Sequence, residues 1–389
     1  MDKGSQFSQY WDFEQGLTYL NHGSFGACPR EILQRQHALQ EDLERQPMDF
    51  LVRKLEHAHL EVRNDLAAFV GCSERDVVFV NNATEAVNTV LRSLPFQPED
   101  EILVTSHTYQ ACRNAAEIIA NKAGAKVVVA EIPFPCSSDE AVIEAIEQVV
   151  TPKTRFALID HVTSPTALVL PVEQIVYELE KKGIWTMIDG AHAVGMLPLE
   201  LDKLGASFYT SNCHKWLCAP KSSAFLHVKP AFQSVIRPLS LSHAASLPAS
   251  DSSRFQKEFG WPGTHDPTPY LMIPDCIDFI SSRTCESSEA WMRRNQSAII
   301  DARKTLLSAF DMREPCPDSM LGSMFAIPLP TGNSIDLQRD LLLEHKIEVV
   351  VSAWPQEDSR LLRVSMQAYN SHKDIEKLLL ALQSMQLAR

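Results

Sequence analysis

Residues 185–216 read WTMIDGAHAVGMLPLELDKLGASFYTSNCHKW, and this stretch decides the fold. An apolar run, Ile184–Ile188, delivers Asp189 at its end. A second strand-like run, Ala206–Thr210, delivers Ser211, Asn212, His214 and Lys215. In an open α/β sheet, ligands bind in the crevice outside the carboxyl ends of the strands. An acid and a lysine carried to two such ends make a site with a reactive amine and a carboxylate that can hold a cation. Taken singly, Asp189 reads equally as a helix cap and Lys215 as a surface charge. Their pairing is what gives the stretch its meaning.

Pyridoxal 5′-phosphate (PLP) uses both groups. Its ring nitrogen works best protonated, and a carboxylate at a strand end holds that proton. A lysine attaches the cofactor covalently and later moves protons at the substrate Cα.

The chain upstream supplies strand–helix alternation. Short apolar runs at 76–80, 101–105, 126–131 and 154–160 alternate with helical stretches at 84–94, 110–123, 139–150 and 172–182. Repeated strand, helix, strand is the mark of a mostly parallel sheet. The first run ends in NNATEA, which opens a helix near Thr84. Free N–H groups at a helix start suit an anion; Ala83 permits close approach and Thr84 adds a hydroxyl. Alone, Thr84 is an ordinary cap. The second run ends in SHTY, which puts His107 at the same crevice, where an imidazole can lie on a flat ring. A lone His there is as well read as a core residue. DHVTSPTA follows the strand ending at Asp160 and offers Thr163 and Ser164 hydroxyls. Beyond the second lysine-bearing run, residues 311–389 read as a smaller α/β unit with Arg363 on its last strand.

Composition narrows the class. The chain has 389 residues, 45% of them hydrophobic, and a net charge of −13. That length buries a large core and suits two domains. The acidic surface disfavours nucleic acid and anionic membrane. No apolar run reaches the length of a membrane span, and MDKGSQFSQYWDFEQG holds no apolar signal core, so a cytoplasmic protein is expected. Nine cysteines at irregular spacing, with no CxxC pair, argue against structural disulfides and a zinc knuckle. No GxGxxG turn follows a strand, which removes the main support for a nicotinamide-dependent oxidoreductase.

Seven motifs, YLNHGSFGACP, NNATEA, SHTY, DHVTSPTA, DGAHAVG, SNCHKWLCAPK and WPGTHDP, span residues 19–267. Together they resemble the class V aminotransferase superfamily of fold-type I PLP enzymes, and within it the isopenicillin N epimerase-like and cysteine desulfhydrase-like group. The resemblance implies a mostly parallel seven-stranded sheet in a large domain, 21–275, preceded by an aromatic arm, 1–20. A linking helix and small C-terminal α/β domain, 276–389, would follow. It implies a homodimer with shared active sites, no metal, and a small amino-acid substrate.

It also implies roles. Lys215 would carry the cofactor, Asp189 would pair with its ring nitrogen and His107 would stack on the ring. Ala83, Thr84, Asn212 and His214 would form the phosphate pocket. His192 would face the ring's oxygen side, Ser164, with Thr163 as the alternative, would match a cofactor-binding position where related desulfurases have Asn, and Thr264 would reach the neighbouring subunit's phosphate. Arg363 would bind the substrate carboxylate, with Asn21 and His22 at the mouth. The group embraces side-chain epimerisation, β-elimination of a thiol and transamination. Epimerisation is the expected reaction, with a cysteine desulfhydrase or C–S lyase and an aminotransferase as alternatives, and a non-catalytic protein of the same fold as the alternative of another class. A desulfurase would need a mobile persulfide-forming cysteine, for which Cys316 in REPCPDS is the candidate.

Overall fold

The computed structural model describes residues 5–248, 250–284 and 287–387. Twelve strands are formed among them: β1 Thr18–Tyr19, β2 Val77–Val80, β3 Glu101–Thr105, β4 Lys126–Ala130, β5 Thr154–Asp160, β6 Trp185–Asp189, β7 Phe208–Ser211, β8 Ala224–Val228, β9 Met324–Leu329, β10 Ile347–Glu348, β11 Val350–Ser352 and β12 Arg360–Ser365. Seven of them make one sheet in the order β2-β8-β7-β6-β5-β3-β4. β3 to β7 run parallel, while β8 is antiparallel to both its neighbours. The central strands are apolar on both faces because helices cover both sides.

Chain order reverses direction across the sheet at β3. From β3 the chain steps outward to β4, then returns to β5 on the other side and continues to β6 and β7. The crevice between the ends of β3 and β5 is therefore a topological switch point, where an open α/β sheet binds its ligand. β5 and β6 pair in register, Asp160 against Asp189, so two carboxylates end neighbouring strands.

The smaller C-terminal unit has the antiparallel sheet β11-β12-β9, packed under helices Ser288–Phe310 and His372–Ser384. The aromatic arm docks on it. Trp11 packs edge-on to Phe279 and Tyr369, and Phe7 packs edge-on to Trp291. Burying each such ring contributes roughly 1.5–3 kcal/mol. β1 then pairs in parallel with β10, which ties the start of the chain to its end.

Departures from the expected elements are local. The helix expected from Phe50 begins as a π-helical turn, Asp49–Lys54, before Leu55–Val70. The strand expected from Lys221 starts at Ala224, because Lys221 and Ser222 turn toward the crevice and Ser222 takes a positive φ. The long helical stretch from 270 to 310 is three helices, Thr268–Leu271, Ile273–Thr284 and Ser288–Phe310; Cys285, in the expected break, lies outside the described residues. None of the helices among the described residues is long and apolar enough to cross a membrane.

Candidate active site

A crevice of about 610 Å³ opens at the switch point. Asp189 lies on its floor, 3% exposed. The Ala191 N–H donates to its Oδ1 at 3.0 Å, and the Cys112 thiol approaches its Oδ2 at 3.4 Å. Burial raises its pKa, an effect partly opposed by these donors and by Lys215. Beside it, Asp160 is equally buried and its Oδ2 has no partner among the described residues. Burial and the Asp189 charge push the Asp160 carboxyl well above its usual range. Two carboxyl groups side by side in a dry site resist ionising together. A cationic N–H placed against them relieves that conflict.

Lys215 follows β7 and projects into the crevice. Burial lowers its pKa to about 8, helped by Arg363 and opposed by Asp189. Its Nζ lies 3.2 Å from His192 Nε2. On the far side of that ring, the Trp216 indole N–H donates to Nδ1 at 3.4 Å. Burial, with Lys215 and Arg363 nearby, holds His192 well below its ordinary pKa, so the ring is neutral. A neutral imidazole accepting at Nδ1 carries its proton at Nε2. That proton points at the lysine and selects the free amine, which is the nucleophilic form. The rate at which cofactor-free protein takes up PLP covalently should therefore rise as pH climbs through about 8. A rate flat from pH 6 to 9 would show that lysine protonation does not control attachment.

The lysine backbone is pinned from below. His22 Nε2 bonds the Lys215 carbonyl at 2.9 Å, and its Nδ1 bonds Tyr369 Oη at 2.9 Å. Gly26, at φ +70°, packs directly on this segment, and a Cβ there would collide with the His214 carbonyl and the Lys215 backbone. That contact explains the glycine in YLNHGSFG better than turn geometry alone.

The helix Ala83–Ser93 starts at the crevice. Asn212 Oδ1 accepts from the Ala83 N–H at 2.8 Å, and Asn82 Oδ1 accepts from the Glu85 N–H at 2.9 Å. Between them stands Thr84, whose N–H and hydroxyl have no hydrogen-bond partner among the described residues. His214 is held through Nδ1 by the Ser223 carbonyl at 2.8 Å and lines the same wall with Lys221 and Ser222. A helix N-terminus with free donors and a lysine nearby suits a phosphate. The set as a whole suits PLP: an anion cradle, paired acids for a ring N–H and a free amine.

Arg363 enters from β12 and is 4% exposed. Nη1 donates to the Ser164 carbonyl at 2.6 Å and to its hydroxyl at 3.3 Å; Nη2 donates to the Ser24 hydroxyl at 2.9 Å. Burial lowers its pKa to about 10, so it stays cationic at neutral pH. No carboxylate partner is present among the described residues, and the guanidinium keeps donors for a substrate carboxylate. Ser164 thus orients Arg363.

Three residues expected at the crevice, His107, Asn21 and His22, do not line it. His107 lies behind the crevice wall, fully buried. Its Nδ1 meets Thr166 Oγ1 at 2.8 Å, its Nε2 meets the Ile132 carbonyl at 3.1 Å, and Trp354 packs edge-on against it. Tyr109, two residues on, lines the crevice instead. Asn21 and His22 are also buried; Asn21 bonds Glu348, and Gly23, Ser24 and Phe25 form the mouth instead. Thr264 is exposed on the loop between helices Arg254–Gly260 and Thr268–Leu271, outside its own chain's crevice. Cys316 is buried against Arg303, with its thiol pushed up to about 11, and lines no part of the site. Asp160, Tyr109 and Lys221 line the crevice without being among the site residues expected from the sequence. Asp160 carried the same signal as Asp189, an acid closing a parallel strand.

Comparison with known proteins agrees with this geometry. The class-V aminotransferase family profile matches residues 27–378. Isopenicillin N epimerase of Streptomyces clavuligerus is 32% identical over 380 residues, 94% of each chain. Putative L-cysteine desulfhydrase 1 of Oryza sativa subsp. japonica is 30% identical over 411 residues, 95% of this chain and 83% of the relative. Among solved structures, the cystine C–S lyase C-DES in complex with cysteine persulfide superposes with a TM-score of 0.80 at 19% identity. That match covers 95% of this chain and 97% of the lyase, and at that identity it speaks for the fold alone.

Proposed function

The chain belongs to the class-V aminotransferase family, a PLP-dependent family, and we propose that it is a carbon–sulfur β-lyase acting on L-cysteine or a cysteine conjugate. The observation that carries this reading is the bond between Lys215 and His192. The two form one proton-handling unit. Epimerisation by two opposed acids needs a second group across Cα. Apart from the ring-facing acids, the phosphate-side His214 and Lys221, and Arg363, the only other titratable side chain lining the crevice among the described residues is Tyr109. β-Elimination needs only one such unit, whereas epimerisation would have to take its second acid from Tyr109. The desulfhydrase relatives support the same reading. The epimerase relatives, at 32% identity, keep epimerisation as the second reading.

PLP, when bound, supplies the electron sink that makes the substrate Cα–H bond acidic. Asp189 and Asp160 would hold a proton at the pyridine nitrogen, and Thr84, Asn212, His214 and Lys221 would hold the phosphate end. Arg363 fixes the substrate carboxylate. Lys215 takes the Cα proton; the Cβ–S bond breaks with its electron pair leaving on sulfur; the Lys215–His192 pair returns a proton to the thiolate. Water then completes release of pyruvate and ammonia. Sulfur leaves as the thiol in this reading; among the described residues no cysteine lines the crevice. Incubation with L-cysteine and S-substituted cysteines tests this. Pyruvate, ammonia and thiol should appear in equal amounts, and a keto acid that retains the sulfur side chain would sink the proposal in favour of transamination.

Arg363→Lys should lower kcat/KM roughly 10–150-fold, the equivalent of about 1.5–3 kcal/mol for a lost charged hydrogen bond. The loss should fall mainly on KM, with cofactor retention little changed. An equal loss of PLP would place Arg363 in cofactor binding instead.

The active unit is a homodimer, with Thr264 crossing to the partner's phosphate pocket. Thr264 supports this by being exposed and by not lining its own chain's crevice. Mixing inactive Lys215→Ala and inactive Thr264→Ala chains should restore about a quarter of the sites, since half the dimers are mixed and one site in each is intact. No recovery after verified subunit exchange would refute shared sites.

A further inference from the structure

The far end of the large sheet carries a second cluster of ligating groups. Asp76 immediately precedes β2, His227 is on β8, and Asp202 lies on the short helix Leu201–Leu204. β2 and β8 run antiparallel with Val77 opposite His227, so Asp76 and His227 are diagonal neighbours. The crevice lies at the other end of these strands, about 13 Å away for four residues of strand. One ligand atom from each of Asp76, Asp202 and His227 falls within 4.8 Å of the other two.

His227 is the informative member. It is 3% exposed, and neither ring nitrogen has a hydrogen-bond partner among the described residues. Buried imidazoles without partners are unusual, since each loses its bonds to water. Its Nε2 faces Asp202 Oδ1 at 3.7 Å, too long for a hydrogen bond. That separation is close to the about 3.4 Å edge of a tetrahedron with ligands about 2.05 Å from a central ion. Asp76 Oδ1 accepts from Gln233 Nε2 at 2.6 Å, which orients the carboxylate from outside, as supporting partners of metal ligands do. Asp202 is exposed, so its side chain is free to close the remaining gap. The Cys72 thiol feels the Asp202 and Asp76 charges but falls outside the cluster.

We propose that Asp76, Asp202 and His227 form a binding site for a divalent transition-metal ion of the Zn²⁺ type. Imidazole with two carboxylates suits zinc and disfavours magnesium and calcium, which prefer all-oxygen sites. A bound ion would clamp the edge strand β2, the strand β8 and the helix before β7 to one another. It would act at a distance from the crevice, as a stabilising group.

The test is calorimetric titration of the chelator-treated holoenzyme with Zn²⁺, repeated with Co²⁺ to read ligand type from its visible spectrum. The wild type should bind one equivalent that His227→Gln and Asp202→Asn lose, each weakening it by at least the ~10–100-fold that loss of an outer partner already causes. Asp202→Asn is a surface change and serves if His227→Gln misfolds. Zn²⁺ should also raise the thermal midpoint of wild type and leave that of Asp202→Asn unmoved. An equivalent that survives both substitutions, disappears in Cys72→Ser or shows a cobalt–thiolate band would overturn the assignment, as would no binding at all.

Discussion

Lys215→Ala is expected to lower turnover by at least ~10⁴-fold, because one side chain both attaches the cofactor and moves the Cα proton. The purified variant should still hold PLP, since the phosphate cradle and the paired acids are untouched. It should lose the borohydride-reducible link to protein, read by intact mass before and after reduction. Added small amines should restore a measurable fraction of activity by taking the missing amine's place. A reducible adduct that persists in Lys215→Ala would show that another amine is used, and Lys221, the other lysine lining the crevice, would be the one to examine.

Asp189→Asn should cost roughly 10²–10³-fold in kcat, about 2.7–4 kcal/mol for one electrostatic partner in a dry site. The amide keeps the shape and loses the charge that favours a protonated ring nitrogen. Cofactor content should stay close to wild type. Asp160 makes the outcome informative, because it sits beside Asp189 with one oxygen unpartnered. If Asp189→Asn keeps normal kcat and Asp160→Asn does not, Asp160 is the ring's partner and the assignment of Asp189 is wrong.

The strand ends were legible in the sequence because each follows a short β-branched run and precedes a helix. That logic points Asp189, Lys215 and Thr84 to one crevice, which all three line, whereas Arg363, inside β12 rather than at its end, is assigned to the site only by the resemblance. It failed within loops. SHTY offers two aromatic-type side chains at the strand end, and spacing alone does not say which turns outward. The Thr166 hydroxyl and the Ile132 carbonyl draw His107 inward, and Tyr109 is left facing the site. YLNHGSFG similarly marks the crevice mouth, yet the conspicuous Asn21 and His22 are buried as supports while Ser24 reaches Arg363. Such choices depend on partners more than 20 residues away, as His22 with Lys215 and Tyr369 illustrates. The preference for epimerisation met the same limit: motifs name the cofactor, while the pairing of His192 with Lys215 bears on where protons go.

The central claim, elimination through a single proton-handling pair, is tested most directly in D₂O. An L-cysteine S-conjugate would be turned over to partial conversion, with mass spectrometry on product and recovered substrate. Expected are pyruvate carrying deuterium in its methyl group, an equal amount of thiol, and recovered substrate wholly of the L form. Recovered substrate inverted at Cα, bearing deuterium there and accompanied by no pyruvate, would contradict the account.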